Sequence, residues 1–124
     1  MLDHIMINVQ NYERSKAFYQ ATLAPLGYTL IMEHQGWAGF GVENKPDSWG
    51  FWIQGGTPAL PPTHIAFRSD SRAGVRTFYE AALKAGGKDN GPPGLRESYH
   101  PHYYGAFIFD PDGHNIEAVC HSPE

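Results

Sequence analysis

Four residues whose side chains can bind a metal ion occupy matched positions in two halves of this sequence. The halves contain the segments "DHIMINVQNYERSKAFYQATLAPLGY" and "THIAFRSDSRAGVRTFYEAALKAGGK". At a constant offset His4 matches His64, and Phe-Tyr, Ala, Leu and Gly positions further along also match. Aligning "WGFWIQ" with "DGHNIE" then sets Gln54 opposite Glu117. So many identities without a gap indicate that the chain consists of two duplicated modules.

Two imidazoles and one carboxylate are a common ligand set for a divalent metal with open coordination positions. The duplication relates His4 to His64 and Gln54 to Glu117, so all four are candidate ligands. Glu117 lies within the otherwise apolar run "IEAV", where burial of a carboxylate is costly unless a partner is present. A metal ion would be such a partner. The alternative is that both histidines are ordinary core residues and that Glu117 pairs with an arginine such as Arg68.

Each half has the same order of elements, which is one strand, one helix and three strands. Apolar residues at every second position predict the first strand of each half. Apolar residues spaced three or four positions apart predict the helix that follows it. Ser71 is the expected N-cap of the second helix. The strands are expected at 3–9, 28–34, 37–43, 50–54, 63–68, 103–109 and 114–120, the helices at 12–24 and 71–85, and a loop-rich segment at 88–101. The sequence therefore predicts an α+β fold of two tandem βαβββ modules, about 1–56 and 62–124, within one domain, 1–124.

The composition is that of an ordinary globular domain. The 124 residues are 41% hydrophobic and 18% charged, and the net charge is −4 with no basic run, which argues against a nucleic-acid partner. No apolar stretch approaches about 18 residues, and the first residues lack a signal-peptide pattern, so no membrane association is expected. The single cysteine, Cys120, leaves no internal disulfide to form. We therefore expect a cytoplasmic protein in which Cys120 is a small core residue.

The motifs "DHI", "FYQATLAPLGY", "THIAF" and "DPDGHNIEAV" resemble the vicinal oxygen chelate superfamily. That superfamily includes glyoxalase I, extradiol dioxygenases, fosfomycin-resistance enzymes, methylmalonyl-CoA epimerase and bleomycin-binding proteins. The resemblance covers nearly the whole chain. It implies that each module curls into a half-barrel cup of a mixed sheet, and that the first and last strands of the modules supply metal ligands. By position these ligands are His4, His64 and Glu117, with Gln54 or water in the fourth place.

The resemblance also implies a function and a cofactor. The expected protein is a homodimeric, metal-dependent lyase, isomerase or dioxygenase that binds a small oxygen-rich substrate through two adjacent oxygens. The metal would be Zn, Ni, Mn or Fe. The alternative is a non-catalytic protein of the bleomycin-resistance type that sequesters a small molecule, although those relatives lack the ligands present here.

Two departures from the superfamily pattern bear on the reaction. Bacterial glyoxalase I-like proteins carry Glu where this chain has Gln54, and a glutamine can ligate through its amide oxygen but cannot act as a base. Glu117 is therefore the remaining candidate for the catalytic base. Extradiol dioxygenases usually carry Tyr where this chain has Phe107.

The segment "NGPPGLRESYHPHYYGAF", residues 90–107, concentrates polar and aromatic groups before a strand. As a lid it would offer Arg96 to an anionic substrate, with His102 and Tyr104 as further substrate contacts. Alternatively it is a proline-stiffened loop whose tyrosines cover the edge of the sheet. Trp52 shares a strand face with Gln54 and is expected to line the cavity.

Five further polar residues are expected to have no catalytic role. His34, His114 and His121 have no matching ligand in the other half and are predicted to be surface or turn residues. Asp110 and Asp112 are predicted to form the tight turn of "DPDG".

Overall fold

The computed structural model describes residues 1–124 and contains the predicted elements in the predicted order. The first module comprises β1 (Ile5–Val9), α1 (Tyr12–Leu23), β2 (Thr29–His34), β3 (Trp37–Gly41) and β4 (Phe51–Gly55). The second comprises β5 (His64–Arg68), α2 (Arg72–Lys84), β6 (Lys88–Asp89), β7 (Gly94–Leu95), β8 (Tyr104–Phe109) and β9 (Asn115–Cys120). The predicted α+β class is confirmed. The loop-rich segment 88–101 contains two strands of only two residues each.

Each module builds its own sheet. The strand order is β1-β4-β3-β2 in the first sheet and β5-β9-β8-β6 in the second, where β7 also pairs with β8. The first and last strands of each module pair in parallel, whereas the other pairs are antiparallel. Residues far apart in sequence therefore become neighbours, and Ala66 of β5 lies opposite Glu117 of β9.

Side-chain caps start both helices. The Asn11 side chain accepts a hydrogen bond from the amide of Arg14, and the Ser71 side chain accepts one from the amide of Gly74 at 3.0 Å. Both bonds satisfy amides that have no partner inside the helix. The prediction that Ser71 is an N-cap is confirmed.

The core lies on the helix side of each sheet. Strand residues of one parity, such as Ile7, Ile53, Ile108 and Ile116, are buried there together with helix residues such as Phe18. The two modules share this core, because α1 packs against α2 and the rings of Phe51 and Phe67 lie 5.1 Å apart. Cys120 is buried, as predicted. The opposite face of each sheet, which we call its open face, carries the residues of the other parity.

The turn at residues 110–114 ties the second module to the first. The Tyr19 hydroxyl donates to Asp110, and the amide of Gln10 donates to Asp112 at 3.2 Å. His114 was predicted to be a surface or turn residue, and it lies in this turn but is fully buried. Its Nδ1 atom lies 3.1 Å from the amide of Thr63.

No helix has the length and apolar character required to cross a membrane.

Candidate functional site

The open face of the second sheet brings His64 and Glu117 together. The Nε2 atom of His64 lies 3.3 Å from Oε1 of Glu117. The Glu117 side chain is almost completely buried, whereas half of the His64 side chain is exposed. The other carboxylate oxygen, Oε2, accepts a hydrogen bond from the Tyr103 hydroxyl. Glu117 thus has two partners on its own sheet, and neither of them is Arg68.

The surroundings of His64 determine which ring nitrogen can face the carboxylate. Its Nδ1 atom lies 3.0 Å from the carbonyl oxygen of Asn115. A carbonyl only accepts hydrogen bonds, so Nδ1 carries the hydrogen. On a neutral ring, Nε2 then has a lone pair that points at another acceptor, Oε1 of Glu117. Two facing acceptors repel each other, so either a proton lies between Nε2 and Oε1 or both atoms bind a cation.

Tyr103 fixes the second oxygen of Glu117. Burial raises the pKa of the Tyr103 hydroxyl above 10, and the hydrogen bond to Glu117 raises it further. The phenol therefore remains protonated at neutral pH and serves as a donor. A donor on Oε2 leaves Oε1 as the oxygen that can bind a cation or accept a proton. The role of Tyr103 was not predicted.

The open face of the first sheet carries the other two candidate ligands. The Nδ1 atom of His4 lies 2.6 Å from Oδ1 of Asp3, which leaves Nε2 as the ring atom available to a ligand. The Nε2 atom of Gln54 donates to Oδ1 of Asn8 at 2.9 Å. The side-chain nitrogen of Asn8 donates in turn to the carbonyl of Thr57. This chain of bonds leaves the amide oxygen of Gln54 as the atom available to a ligand.

Within one chain the two pairs remain apart. His4 and Gln54 belong to the first sheet, whereas His64 and Glu117 belong to the second, and no hydrogen bond or ion pair joins the pairs. The donor atoms of His4, His64 and Glu117 do not form a group within 4.8 Å of one another. Each sheet thus presents half of the predicted ligand set.

The substrate contacts predicted in segment 90–107 lie in different places. The Arg96 guanidinium stacks on the Phe107 ring, 5.4 Å from its centre, and Phe107 lies opposite Glu117 in the sheet. His102 is exposed, and its amide donates to the ring of His100. Tyr104 lies on the helix side, where its hydroxyl accepts from Arg76 at 3.3 Å. That position removes Tyr104 from the surface around Glu117.

Strand parity explains why Tyr103 and not Tyr104 reaches Glu117. Ala106 and Ile108 of β8 are buried in the core, so Tyr104, which has the same parity, also faces the helices. Phe107 and Tyr103 have the opposite parity and share the open face with Glu117. The alternation within "YYGAFIF" was the sequence signal that could have identified Tyr103.

Trp52 lies on the open face of the first sheet, as predicted from its parity with Gln54. Its indole Nε1 donates to the carbonyl of Trp49 at 3.0 Å. The ring lies against Gly39 of the neighbouring strand.

A second group of metal-capable atoms lies in the turn that joins the modules. Donor atoms of Asp110, Asp112 and His114 lie within 4.8 Å of one another, which by distance makes them a candidate cation site. Their lone pairs are already engaged. Asp110 accepts from the amides of Asp112 and His114 and from Tyr19. His114 accepts at Nδ1 and therefore donates from Nε2, which lies 3.3 Å from the carbonyl oxygen of Asn8. The group acts as a hydrogen-bonded junction.

Comparison with known proteins identifies the family. A sequence model of the glyoxalase/bleomycin resistance protein/dioxygenase superfamily matches residues 1–118. The chain belongs to this superfamily. A search of curated proteins found no match for the sequence.

Solved structures of superfamily proteins share the fold. A glyoxalase/bleomycin resistance protein from Albidiferax ferrireducens T118 is 27% identical, with a TM-score of 0.81, and the match covers 97% of this chain and 98% of that one. The fosfomycin resistance protein FosX from Mesorhizobium loti is 22% identical, with a TM-score of 0.70 over 98% of this chain and 92% of that one. The predicted vicinal oxygen chelate fold is confirmed.

One similar structure contains a metal. A mutant of the FosX protein from Listeria monocytogenes is 21% identical and has a TM-score of 0.71 over 96% of this chain and 88% of that one. That structure is a complex with Mn(II) and 1S,2S-dihydroxypropylphosphonic acid. Divalent metal binding therefore occurs in this superfamily.

The residues of the present chain fit a divalent metal. His64 offers a lone pair on Nε2, and Glu117 offers Oε1 at 3.3 Å from it. The other atom of each side chain is held by a protein partner, as is usual for metal ligands. On the first sheet, Nε2 of His4 and the amide oxygen of Gln54 are available in the same way.

Proposed function

We propose that the protein is a divalent-metal-dependent enzyme of the lyase, isomerase or dioxygenase type, acting on a small oxygen-rich substrate. The observation that carries this proposal is the pair formed by His64 and Glu117, in which two acceptor atoms face each other at 3.3 Å. His4, His64 and Glu117 would hold the metal, with Gln54 or water in the fourth position. When bound, the metal supplies Lewis-acid polarisation of the substrate oxygens.

The residues of the chain have distinct tasks in this reaction. Glu117 is the candidate base, because Gln54 cannot take up a proton. The Tyr103 hydroxyl occupies Oε2 of Glu117, so Glu117 would take up a proton at Oε1, and only in a step in which Oε1 is released from the metal. Arg96, held over Phe107, supplies a positive charge near the carboxylate for an anionic substrate. Trp52 lines the open face on the side of His4 and Gln54.

We infer that the complete site forms between two copies of the chain. Each sheet carries half of the ligand set on its open face, and the halves do not meet within one chain. A symmetric dimer that places the first sheet of one copy against the second sheet of the other would combine His4 and Gln54 with His64 and Glu117. Such a dimer would contain two equivalent sites.

Metal content tests the proposal independently of turnover. Wild-type protein, His64→Ala and Glu117→Gln would be purified without chelator and analysed by elemental mass spectrometry. His34→Ala is the matched control, because His34 is exposed and its ring makes an edge-to-face contact with Trp37, outside the ligand set. Wild type and the control should contain about one metal per chain, and the two site variants should contain little. Equal metal content in all four proteins would contradict the proposal.

A second candidate function is the sequestration of a small molecule without chemistry. It is favoured by the pocket around Trp37, Trp49 and Trp52, which needs no metal to form. Ligand binding that survives metal removal, with no turnover of any compound in a substrate panel, would favour this function over the first.

A further inference from the structure

Two tryptophans of the first sheet, Trp37 and Trp52, and Trp49 from the segment before β4 surround a pocket beside His4. The pocket, which we call the tryptophan pocket, has a volume of about 400 Å³. That is enough for a small organic ligand. It is lined by Asp3, His4, Met6, Trp37, Pro46, Trp49 and Trp52.

Two glycines make room for the tryptophan rings. A Cβ atom added to Gly39 would lie 2.5 Å from the Trp52 ring, and one added to Gly41 would lie 2.4 Å from the Trp49 ring. Real Cβ atoms do not approach other atoms so closely. The Trp52 ring therefore lies against the backbone of β3 in space that only glycine leaves open, and one edge of the Trp49 ring approaches Gly41 in the same way.

The polar atoms of two rings are used inside the protein. The Trp49 indole nitrogen donates to the carbonyl of Val42 at 2.9 Å, and that of Trp52 donates to the carbonyl of Trp49 at 3.0 Å. Both bonds hold the rings in place and turn their N–H groups away from the pocket. What remains for a ligand is mostly aromatic carbon.

The shape and charge of the pocket indicate the chemistry of its ligand. The Trp37 and Trp52 rings lie 5.5 Å apart and are tilted by 52°, so they contact each other and together form an aromatic wall against which a ligand ring can lie. The thioether of Met6, which is partly exposed, is also a favourable neighbour for an aromatic ring. No lysine or arginine lines the pocket, and its one carboxyl side chain, Asp3, lies 2.6 Å from Nδ1 of His4. An uncharged ring is therefore favoured over an anionic group.

We propose that the tryptophan pocket binds an uncharged planar aromatic ring of the substrate. This inference rests on the proposed function, in which His4 is a ligand of the metal that holds the substrate oxygens. Because His4 also lines the pocket, a substrate held through its oxygens places its remaining part against the tryptophans. The substrate class is thus an aromatic compound with two adjacent oxygens outside the ring-binding pocket.

Mandelate and lactate test the inference, because they share the same hydroxyl and carboxylate groups and differ by a phenyl ring in place of a methyl group. Their affinities for Mn(II)-loaded protein would be measured by calorimetry. Mandelate should bind about tenfold more tightly than lactate. Equal affinities of the two ligands for metal-loaded wild type would overturn the inference and leave the proposed function intact.

Two variants test whether the preference for mandelate over lactate depends on the tryptophan pocket. In Trp37→Ala the mandelate preference should fall to about twofold or less, while lactate affinity remains at the wild-type value as an internal control. Met6→Ala removes less of the lining and should reduce the preference by an intermediate factor. It also provides a result if Trp37→Ala does not fold. An undiminished preference in a folded variant of either kind would contradict the assignment of the pocket.

A ligand that cannot chelate a metal shows whether the tryptophan pocket binds an aromatic ring even if the proposed metal site does not exist. Benzyl alcohol would be added to metal-free protein, and magnetisation transfer from protein to its ring protons would be measured by NMR. Transfer with wild type that is lost in Trp37→Ala supports the ring-binding pocket even if the protein binds no metal. No transfer to the ring, together with no metal binding, would overturn both proposals.

Discussion

The Nε2 atom of His64 and the Oε1 atom of Glu117 lie 3.3 Å apart on neighbouring parallel strands. The imidazole is oriented by a backbone carbonyl, and the carboxylate is oriented by the Tyr103 hydroxyl. These two supports make the pair a preorganised half-site. The metal affinity of this half-site should therefore also depend on residues that would not touch the metal.

Tyr103→Phe should weaken metal binding without removing a ligand. Loss of the hydroxyl leaves Oε2 of Glu117 without its donor, and partners of this kind change metal affinity by about 10- to 100-fold. Calorimetric titration with Mn(II) measures the change. Tyr99→Phe is the control, since the Tyr99 ring contacts Tyr103 edge to face and its hydroxyl has no bond to Glu117. Identical Mn(II) affinities of wild type and Tyr103→Phe would show that the hydroxyl does not support the site.

Mixed dimers test whether two chains share each site. His4→Ala and His64→Ala should each bind little metal alone. In a dimer of one chain of each kind, one site lacks both histidines and the other has its complete ligand set. Random pairing after joint refolding should therefore restore about a quarter of the wild-type metal content. If mixed dimers form and no metal binding returns, the ligand halves are not shared between chains.

Asp110→Asn should change how stability depends on pH. Burial raises the pKa of the Asp110 carboxyl above its ordinary value of 3.8, against the opposing effect of the hydrogen bonds from Tyr19 and His114. The native state therefore retains this proton at pH values where the unfolded chain has lost it. The stabilisation from Asp110 is fully present below pH 3.8 and is lost as the pH rises through the raised native pKa.

Urea denaturation of wild type and Asp110→Asn at a series of pH values provides the measurement. The stability of wild type relative to the variant should decrease as the pH rises from about 4 and then level off. Subtracting the free energy of unfolding of the variant from that of wild type at each pH cancels the contributions of the other carboxylates. A difference that increases with pH would have the wrong sign and refute this account.

Gly39→Ala should destabilise the protein through contact with Trp52. The added methyl group would lie 2.5 Å from the indole, and the Nε1 bond to Trp49 limits how far the ring can move. Overpacking of this kind costs about 1–3 kcal/mol. In a Trp52→Phe background the smaller ring leaves room, so the same substitution should cost less.

Gly55→Ala is the matched control for this cycle, because the nearest atom to its added Cβ is 3.7 Å away. Thermal and urea unfolding of the single and double variants would give the coupling energy between positions 39 and 52. Additive effects of the two substitutions would mean that the contact with Trp52 does not determine the need for glycine.

The fold could be predicted from the sequence because each module repeats the same local signals. The capping residue Ser71 and the alternation in the strands are local patterns, and the duplication supplies each of them twice. The boundaries differ by one or two residues, as at β3, which was expected to reach residue 43 and ends at Gly41. The family resemblance implied a mixed sheet, whereas the parallel pairing of the first and last strands of each module was not predicted, because no local pattern indicates it.

The surroundings of the site were less predictable because they depend on contacts between distant segments. His114 was expected to be a surface or turn residue, and it lies in the turn but is buried, with the amide of Thr63 and the carbonyl of Asn8 as its partners. Both partners lie more than 50 residues away in the chain. The hydrogen bond of Tyr103 to Glu117 requires the 96–103 loop to fold back on the sheet, which no periodicity predicts. Strand parity in β8 would have distinguished Tyr103 from Tyr104.

The hydrogen bond between Tyr19 and Asp110 has a consequence for how the protein is made. The two residues are 91 positions apart, so the first module emerges from the ribosome long before Asp110 is synthesised. Until then the phenol of Tyr19, which becomes fully buried in the finished protein, lacks its acceptor. Burying that hydroxyl unpaired is unfavourable, and contacts of such sequence separation also slow folding. The first module should therefore remain incompletely folded until the second has been translated.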